Sequence, residues 1–273
     1  MIEVALTLKS APPLRVDMRG IAPLALAAAN PDSIAQHTVW HGNERVALAD
    51  LFAIKVRERK ETAPTLRLVG DLARFDRIGS AMDGGLIEID GDAGDYLGAL
   101  MTTGEIHCSG DAGMFAACEM AGGRMLVEGS VGDFAAATQP GSMEGMRGGA
   151  LIVRGNAGER LGDRMRRGLL AVLGNAGDFA ASRLVAGTIA IGGSLGAHPA
   201  FGMRRGTLLL AQVQPQLTST FVASVHDISV YWHLLARQVS GCGGPFEGLG
   251  ARLPRRLVGD LAVDGKGEVL CFA

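Results

Sequence analysis

The sequence predicts an all-β protein: a right-handed single-stranded parallel β-helix of about seven 19-residue coils, with α/β capping segments at both ends. Three observations predict this fold. A glycine-led tetrapeptide recurs seven times at nearly constant spacing, a short apolar segment precedes every copy, and apolar side chains alternate along those segments. Alternation with period two is typical of strands, and a fixed period of about 20 residues is typical of solenoids.

The tetrapeptide G-[DNS]-[ALV]-[GA] marks the repeat. Its copies begin at Gly70, Gly91, Gly110, Gly129, Gly155, Gly174 and Gly193, at intervals of 21, 19, 19, 26, 19 and 19 residues. A 19-residue unit is too short for a strand, a three-turn helix and two connections, but it suits one turn of a parallel β-helix. The long fourth interval predicts a protruding loop in "TQPGSMEG".

Two columns of apolar residues lie four and two positions before the repeat glycines. The first reads Leu66, Ile87, Ile106, Met125, Leu151, Leu170 and Ile189, the second reads Leu68, Ile89, Cys108, Val127, Val153, Val172 and Ile191, and Leu208 and Leu210 continue both. Both columns must face the core. The column between them is polar at Arg67 and apolar by Leu209, which predicts contact with another element or a partner subunit.

The turn after each strand combines glycine with short polar residues. The second tetrapeptide position carries Asp, Asn or Ser in every copy, and we expect these side chains to form a hydrogen-bonded ladder across coils. Glycine at the fourth position, in six of seven copies, is expected to permit positive φ. A calcium ladder is not favoured because the carboxylates end before Ser130.

Two further columns recur at fixed positions in the repeat. A flexible core column is predicted at Met82, Met101, Met120, Met146, Met165, Leu184 and Met203, and an aromatic column that packs one corner is predicted at Phe75, Tyr96, Phe115, Phe134 and Phe179. A soft-metal ladder of methionines would require recurring thiolates or histidines nearby, and none recur.

The flanks are predicted to cap the open strand edges at the ends of the solenoid. Residues 1–65 form the N-terminal capping segment, residues 66–210 the parallel β-helix, and residues 211–273 a C-terminal capping segment with one helix in "DISVYWHLLARQVSG".

Composition excludes several classes of function. The net charge of −2 favours neither nucleic acid nor a membrane surface as a partner, and no apolar run reaches ~18 residues. No signal-peptide pattern opens the chain, so we expect the cytoplasm and reduced cysteines. His37 with His41, and His226 with His233, lack further metal ligands, and Cys242 lacks a base. We therefore expect no catalytic residue and no metal site, and these residues assign no directly bound cofactor.

The repeats "GDAGDYLGALMTTGEIHCSG", "GNAGERLGDRMRRG" and "GNAGDFAASRLVAGTIAIGG", with "VALADLFAI" and "GDL…GKGEVL", resemble the C subunit of formylmethanofuran dehydrogenase. Similar repeats form the C-terminal β-helix of glutamate synthase large subunits. The resemblance implies a non-catalytic structural subunit of a formyltransferase/hydrolase complex that handles formyl groups on a methanofuran-type coenzyme in one-carbon metabolism.

The same resemblance leaves other settings open. One is the C subunit of a molybdenum or tungsten formylmethanofuran dehydrogenase, and another is a glutamate-synthase-like β-helix subunit. It implies that the partners are formyltransferase, amidohydrolase-like and dehydrogenase-like subunits, which carry the catalytic residues. No catalytic residue is therefore assigned to this chain.

Charge divides the repeat region into two parts. Residues 83–133 hold ten acidic residues against Arg124, whereas residues 147–205 hold nine arginines against three acidic residues. Many of these arginines share repeat positions and would stack side by side. The candidate site comprises Arg147, Arg154, Arg164, Arg166, Arg167, Arg183, Arg204 and Arg205. It is expected to contact acidic residues of a partner or, as the resemblance implies, the oligoglutamate tail of the coenzyme.

Overall fold

The computed structural model describes residues 2–58, 63–212 and 216–272, and strands dominate these ranges. The N-terminal segment contains β1 (Ile2–Leu8), β2 (Val16–Asp17), α1 (Pro23–Ala27), α2 (Pro31–Gln36), β3 (Thr38–His41), β4 (Glu44–Ala47), α3 (Leu48–Leu51) and β5 (Phe52–Glu58). Pro23 and Pro31 each occupy the start of a helix, where the missing amide hydrogen is not needed.

Short strands follow at the repeat period. They are β6 (Thr65–Val69), β7 (Phe75–Asp76), β8 (Asp83–Asp90), β9 (Thr103–Cys108), β10 (Arg124–Val127), β11 (Ala150–Val153), β12 (Leu169–Val172), β13 (Thr188–Ile191) and β14 (Thr207–Leu210). The C-terminal segment contains β15 (Val222–Ala223), α4 (Ser229–Ser240), β16 (Arg255–Gly259) and β17 (Gly267–Cys271), with 3-10 turns at Gly244–Phe246, Leu249–Ala251 and Leu261–Val263.

One large sheet organises the molecule. Its 13 strands follow the order β15-β16-β17-β14-β13-β12-β11-β10-β9-β8-β6-β1-β5. Pairing is parallel from β1 through the repeat strands to β17, and antiparallel at both ends. The flanks therefore lengthen the stack by one parallel strand at each end, and a smaller sheet, β4-β3-β2-β7, lies at the N-terminal end. The division into segments 1–65, 66–210 and 211–273 stays a prediction.

The predicted strand register is confirmed. Leu66 pairs with Ile87, and the same column continues in register to Leu208. Both apolar columns and the methionine column are buried, as predicted. A second line of parallel bridges runs from Leu72 to Leu195 through the turns. Successive repeats are thus stacked at two positions around each turn.

The apolar end of the column between the two core columns is covered by the chain's own C-terminal segment. Ile152, Ala171, Ala190 and Leu209 form a second hydrophobic cluster with α4, whose inner face carries Trp232, Leu235, Ala236 and Val239. The Trp232 indole donates a hydrogen bond to the Arg252 carbonyl at 2.6 Å. The prediction of contact with another element or a partner subunit resolves to elements of the same chain, because α4 and the 3-10 turns that follow it share one cluster with this column.

The polar turn ladder is confirmed from Asp92 onward, and a second ladder accompanies it. Asp71 does not join the ladder, because its Oδ1 accepts from the Ala73 amide of its own turn at 3.0 Å. Asp92 Oδ1 accepts from the Asp111 amide at 2.8 Å, and Asp111 Oδ1 accepts from the Ser130 amide at 2.7 Å. The ladder continues through Ser130, Asn156 and Asn175 to Ser194. Further along the same turns, the carboxylates of Asp76, Asp95, Asp133 and Asp178 bond to the next repeat's backbone in the same way.

Glycine at the fourth tetrapeptide position serves a different purpose from the predicted one. Gly94, Gly113, Gly132, Gly158, Gly177 and Gly196 do not adopt positive φ. A Cβ at Gly113 would fall on Asp95 Oδ1, so glycine is required for close stacking of the ladder. Positive φ does recur at another glycine of the repeat, which lies just before or within the start of each strand: Gly85, Gly104, Gly123, Gly149, Gly168, Gly187 and Gly206.

The aromatic column differs from its prediction at one member. Tyr96, Phe115 and Phe134 stack with ring centroids 4.8 and 5.0 Å apart, but the residue in register before Tyr96 is Arg77, which lies over the Tyr96 ring at 4.4 Å. Phe75 instead packs against Phe52 in the N-terminal core. The first interval is two residues longer than the period, and this extra length falls between Leu72 and Arg77.

No helix in the described ranges combines the length and the apolar character needed to cross a membrane.

Candidate functional site

A cationic groove runs across the turns that precede the strands of the later repeats. The amides of Arg166, Val185 and Arg204 donate to the carbonyls of Met146, Met165 and Leu184 at 2.8, 2.9 and 2.8 Å. This repeated bond places the three residues one above another at the ~4.8 Å spacing of neighbouring strands. The arginine groove, about 590 Å³ in volume, is lined by Glu144, Arg147, Arg166, Arg167, Val185, Ala186, Arg204 and Arg205.

A more apolar hollow adjoins the groove. It measures about 370 Å³ and shares Arg166, Val185 and Arg204 with the arginine groove. Its remaining lining is Met143, Arg164, Arg183, Phe201, Gly202, Asp260, Ala262 and Val263. Seven of the eight predicted arginines therefore line two adjoining depressions on one side of the stack.

Arg164 and Arg183 are held rigidly beside the hollow. Both adopt left-handed backbone conformations, with φ of 56° and 52°, and their amides donate to the carbonyls of Ser182 and Phe201 in the following repeat. The Arg183 guanidinium donates to both oxygens of Asp163, at 2.9 and 2.6 Å. Asp163 is buried, so this charge pair is fixed in position and largely neutralises itself.

The arginines in the groove are less well paired. Glu144 Oε1 lies 3.2 Å from Arg166 Nε. That nitrogen is buried and makes no hydrogen bond within the described ranges. In those ranges no carboxylate pairs with Arg147, Arg167, Arg204 or Arg205 either, and all four side chains are exposed. Guanidinium groups that stack without counter-charges favour an anionic ligand or partner along the groove.

Arg154 lies apart from the other seven arginines. It directly precedes Gly155, at the end of β11, whereas the groove arginines precede their strands. Its Nε pairs with Glu128 Oε2 at 2.7 Å, and Glu128 also faces the His107 ring at 3.3 Å. Arg154 is separated from the groove because residues before and after a strand lie on different sides of each turn.

Lys266 extends the groove, although the period of the repeat does not predict it. Its amide donates to the Arg204 carbonyl at 2.6 Å, so the acceptor here is a groove residue itself and not, as in earlier repeats, the residue just before the groove pair. The parallel pairing of Thr207 with Glu268 places Lys266 next to Arg205 in the stack. A sequence signal exists, because "KGEVLC" matches "RGTLLL" in its basic residue, its glycine and its alternating apolar positions.

The other candidate residues show no arrangement suited to catalysis. Burial raises the pKa of the Cys242 thiol above its ordinary value, with Arg124 opposing this, so Cys242 is a poor nucleophile. Burial raises the pKa of Cys118 to about 12. His41 Nε2 accepts from the Leu14 amide at 3.3 Å, and His233 Nδ1 contacts the Ser229 carbonyl at 2.6 Å. No cluster of three potential metal ligands occurs among the described residues.

Parallel strands stacked repeat upon repeat, with an arginine groove along the turns, define a strand-repeat protein with a surface suited to anions. A family model, the GXGXG motif, matches residues 56–231, which is more than half of the chain. The chain belongs to the GXGXG motif family.

Curated relatives match over shorter segments. The chain is 35% identical over 95 residues to the C subunit of molybdenum-containing formylmethanofuran dehydrogenase 1 from Methanosarcina barkeri (strain Fusaro), covering 34% of this chain and 32% of the relative. It is 39% identical over 82 residues to the C subunit of the formyltransferase/hydrolase complex Fhc from Methylorubrum extorquens, covering 30% and 29%. Each alignment thus spans about a third of the length of the relative.

A solved structure matches over nearly the whole length. It is a chain in the X-ray crystal structure of the formyltransferase/hydrolase complex (FhcABCD) from Methylorubrum extorquens in complex with methylofuran. The two chains are 37% identical, with a TM-score of 0.89, and the match covers 98% of this chain and 99% of the other.

Proposed function

We propose that this chain is a non-catalytic structural subunit of a formyltransferase/hydrolase complex, in which other subunits act on formyl groups carried by a methanofuran-type coenzyme. The observation that carries this proposal is the near full-length similarity to a chain of such a complex. The function belongs to one-carbon metabolism, from formaldehyde to formate, in the cytoplasm. The partners are formyltransferase, amidohydrolase-like and dehydrogenase-like subunits.

The architecture in this proposal is a right-handed single-stranded parallel β-helix of about seven 19-residue coils, closed by α/β caps. In-register parallel pairing of the repeat strands and the second line of bridges through the turns support this assignment. An experimental structure tests it directly, through the hand of the connection between consecutive strands. A left-handed path would contradict it.

The arginine groove is the functional surface of the chain in this proposal. Guanidinium offers paired donors in a planar fork that suits carboxylates, and the groove already brings Glu144 to 3.2 Å from Arg166. Its occupant is the oligoglutamate tail of the coenzyme, held while the formyl end moves between sites on other subunits. Acidic residues of a partner subunit are the alternative occupant.

A second setting is the C subunit of a molybdenum or tungsten formylmethanofuran dehydrogenase. The Methanosarcina relative favours it, because its alignment with this chain is longer than that of the bacterial relative. The structural role of the chain and its groove is the same in both settings, since catalysis again belongs to the partner subunits.

Affinity purification of the tagged chain from its native host tests the proposal. We expect formyltransferase and amidohydrolase-like subunits to co-purify, and the assembly, but not the chain alone, to transfer and hydrolyse formyl groups. Molybdenum or tungsten in the purified assembly supports the second setting. Turnover by the isolated chain, or co-purification of glutaminase and flavin domains, contradicts both.

A further inference from the structure

The cations of the arginine groove are not evenly distributed. Neighbouring repeats contribute successive rungs, each a pair of adjacent residues that precede a strand. Arg147 lies on the first rung, and Arg166 and Arg167 lie on the second. The third rung carries only Val185 and Ala186. Cations then return, and the set beyond the neutral rung is Arg204, Arg205 and Lys266. We call Arg147, Arg166 and Arg167 the first clamp. Arg204, Arg205 and Lys266 form the second clamp.

The spacing of the clamps follows from strand geometry. Rungs are ~4.8 Å apart, so the nearest rungs of the two clamps are roughly 10 Å apart and the clamp centres roughly 13 Å apart. In an extended peptide, residues four apart face the same side and are also separated by roughly 13 Å. Residues two apart face the same side at only about 7 Å, which cannot reach from one clamp centre to the other.

The first clamp shows the chemistry of its ligand. The Glu144 carboxylate already approaches Arg166 there, 3.2 Å from Nε, although its direction leaves that buried nitrogen without a hydrogen bond in the described part of the chain. A buried donor without a partner is costly, so a better-directed carboxylate is stabilised at this position. The second clamp has three exposed cations. Between the clamps the groove is lined by the apolar side chains of Val185 and Ala186, which disfavour a charge at that position.

We propose that the arginine groove recognises the spacing of carboxylates: it binds a linear oligocarboxylate through two carboxylates about 13 Å apart and passes the segment between them over Val185 and Ala186. This inference rests on the proposed function of the groove as a carboxylate site, and it adds which carboxylates of the chain-like ligand are bound. Carboxylates of the ligand that lie opposite the neutral rung contribute little to the affinity.

The test compares two peptides of equal charge on the full-length chain. Both are acetylated and amidated pentapeptides, Glu-Gln-Gln-Gln-Glu and Gln-Glu-Gln-Glu-Gln, titrated calorimetrically at low ionic strength. We expect the first to bind at least about fivefold more tightly, because only its carboxylates reach both clamps. Ala186→Arg adds a cation to the neutral rung and should tighten the second peptide until the difference disappears. Arg154→Ala, remote from the groove, is the matched control and should change neither affinity.

Two outcomes would overturn the inference. Equal affinities that both fall in Arg166→Ala and Arg204→Ala leave the groove as a carboxylate site and overturn the spacing inference alone. If Arg166→Ala and Arg204→Ala leave both affinities unchanged, the groove is not a carboxylate site, and both the proposed role of the groove and the spacing inference are contradicted. The peptide comparison uses the unaltered chain, so it decides the matter even if Ala186→Arg unfolds.

Discussion

Arg183 and Asp163, on consecutive repeats, form a two-point charge pair in which Nε and Nη2 donate to the two carboxylate oxygens at 2.9 and 2.6 Å. The Ser182 hydroxyl donates to the same carboxylate at 2.6 Å. The Asp163 side chain is only 3% exposed, whereas Arg183 is 41% exposed. The carboxylate is thus a buried anchor that orients a guanidinium at the edge of the apolar hollow.

Asp163→Ala should destabilise the protein by about 2–3 kcal/mol, below the roughly 3–5 kcal/mol typical of a fully buried pair because solvent reaches Arg183. Denaturant unfolding measures the change. Arg154→Ala removes an exposed pair with Glu128 and should cost less than about 1 kcal/mol. Equal losses in the two variants would show that the burial of Asp163 contributes nothing.

Gly113→Ala should be destabilising although Gly113 does not adopt positive φ. The added methyl group would fall on Asp95 Oδ1 and break the hydrogen bond that the Met114 amide donates to that oxygen, at a cost of about 2 kcal/mol or more. Gly241→Ala is the control, since its Cβ meets only the Gln238 carbonyl at 3.4 Å and its φ is −65°. Thermal unfolding of both variants tests this, and a stable Gly113→Ala protein contradicts the close-stacking explanation.

The strand stack could be predicted because a fixed period converts positions along the sequence into neighbours in space. The two apolar columns, the turn ladder and the stacked arginines all follow from that single relation. The reason for glycine at the fourth tetrapeptide position could not be predicted, because it depends on how closely Asp95 approaches the next turn.

Features outside the period were harder to predict. The chain leaves the stack after β14 and returns only at β17, so Lys266 does not lie at a multiple of 19 residues from the other cations. The packing of α4 on Ala171 likewise joins segments that share no repeat. Arg77 takes the place of Phe75 in the aromatic column because two extra residues precede it, and spacing alone does not say where in a turn such residues fall.

Ala171→Asp should be about as damaging as Val153→Asp, although Ala171 faces away from the interior of the strand stack. Both positions are fully buried, Ala171 beneath α4. An unpaired carboxylate at either position should cost several kcal/mol and leave little folded protein. His107 lies in the same column, at a position that α4 does not cover, and His107→Asp should lower the free energy of unfolding by less than about 1 kcal/mol. A normally melting Ala171→Asp protein would mean that α4 does not pack there.

Asp260 should make stability depend on pH at the C-terminal end of the stack. Burial raises the pKa of its carboxyl. Hydrogen bonds from the Thr220 side chain and from the amides of Ala262 and Gly202, at 3.0 and 3.1 Å, together lower the pKa by more than burial raises it, so it lies below its ordinary value of 3.8. A depressed pKa contributes stability that is present above the unfolded-state value and is lost as pH falls through the folded-state value.

Chemical unfolding of Asp260→Asn and the unaltered protein across this range measures the contribution. The variant should be less stable at pH 7, and the gap between the two proteins should close as pH falls below 3.8. A gap that stays constant with pH would assign the loss to packing rather than to charge.

Glu144 should compete with the ligand of the arginine groove. It lies on the inserted loop, and its carboxylate faces Arg166, with the Arg166 and Glu144 side chains 43% and 45% exposed. Such an exposed pair is worth less than about 1 kcal/mol, so Glu144→Gln should tighten pentaglutamate binding by up to about fivefold. Stability should hardly change, because Glu144 makes no hydrogen bond to Arg166 Nε and the Arg166 side chain remains 43% exposed.

The matched control is Glu159→Gln, which removes the same charge from an exposed residue that does not line the groove. Calorimetric titration at two ionic strengths separates local from long-range effects. Simple attraction to a more positive protein would tighten binding equally in both variants and would vanish at high salt. Displacement of the Glu144 carboxylate from Arg166 predicts a gain confined to Glu144→Gln, and weaker binding in that variant would show that Glu144 helps to form the site instead.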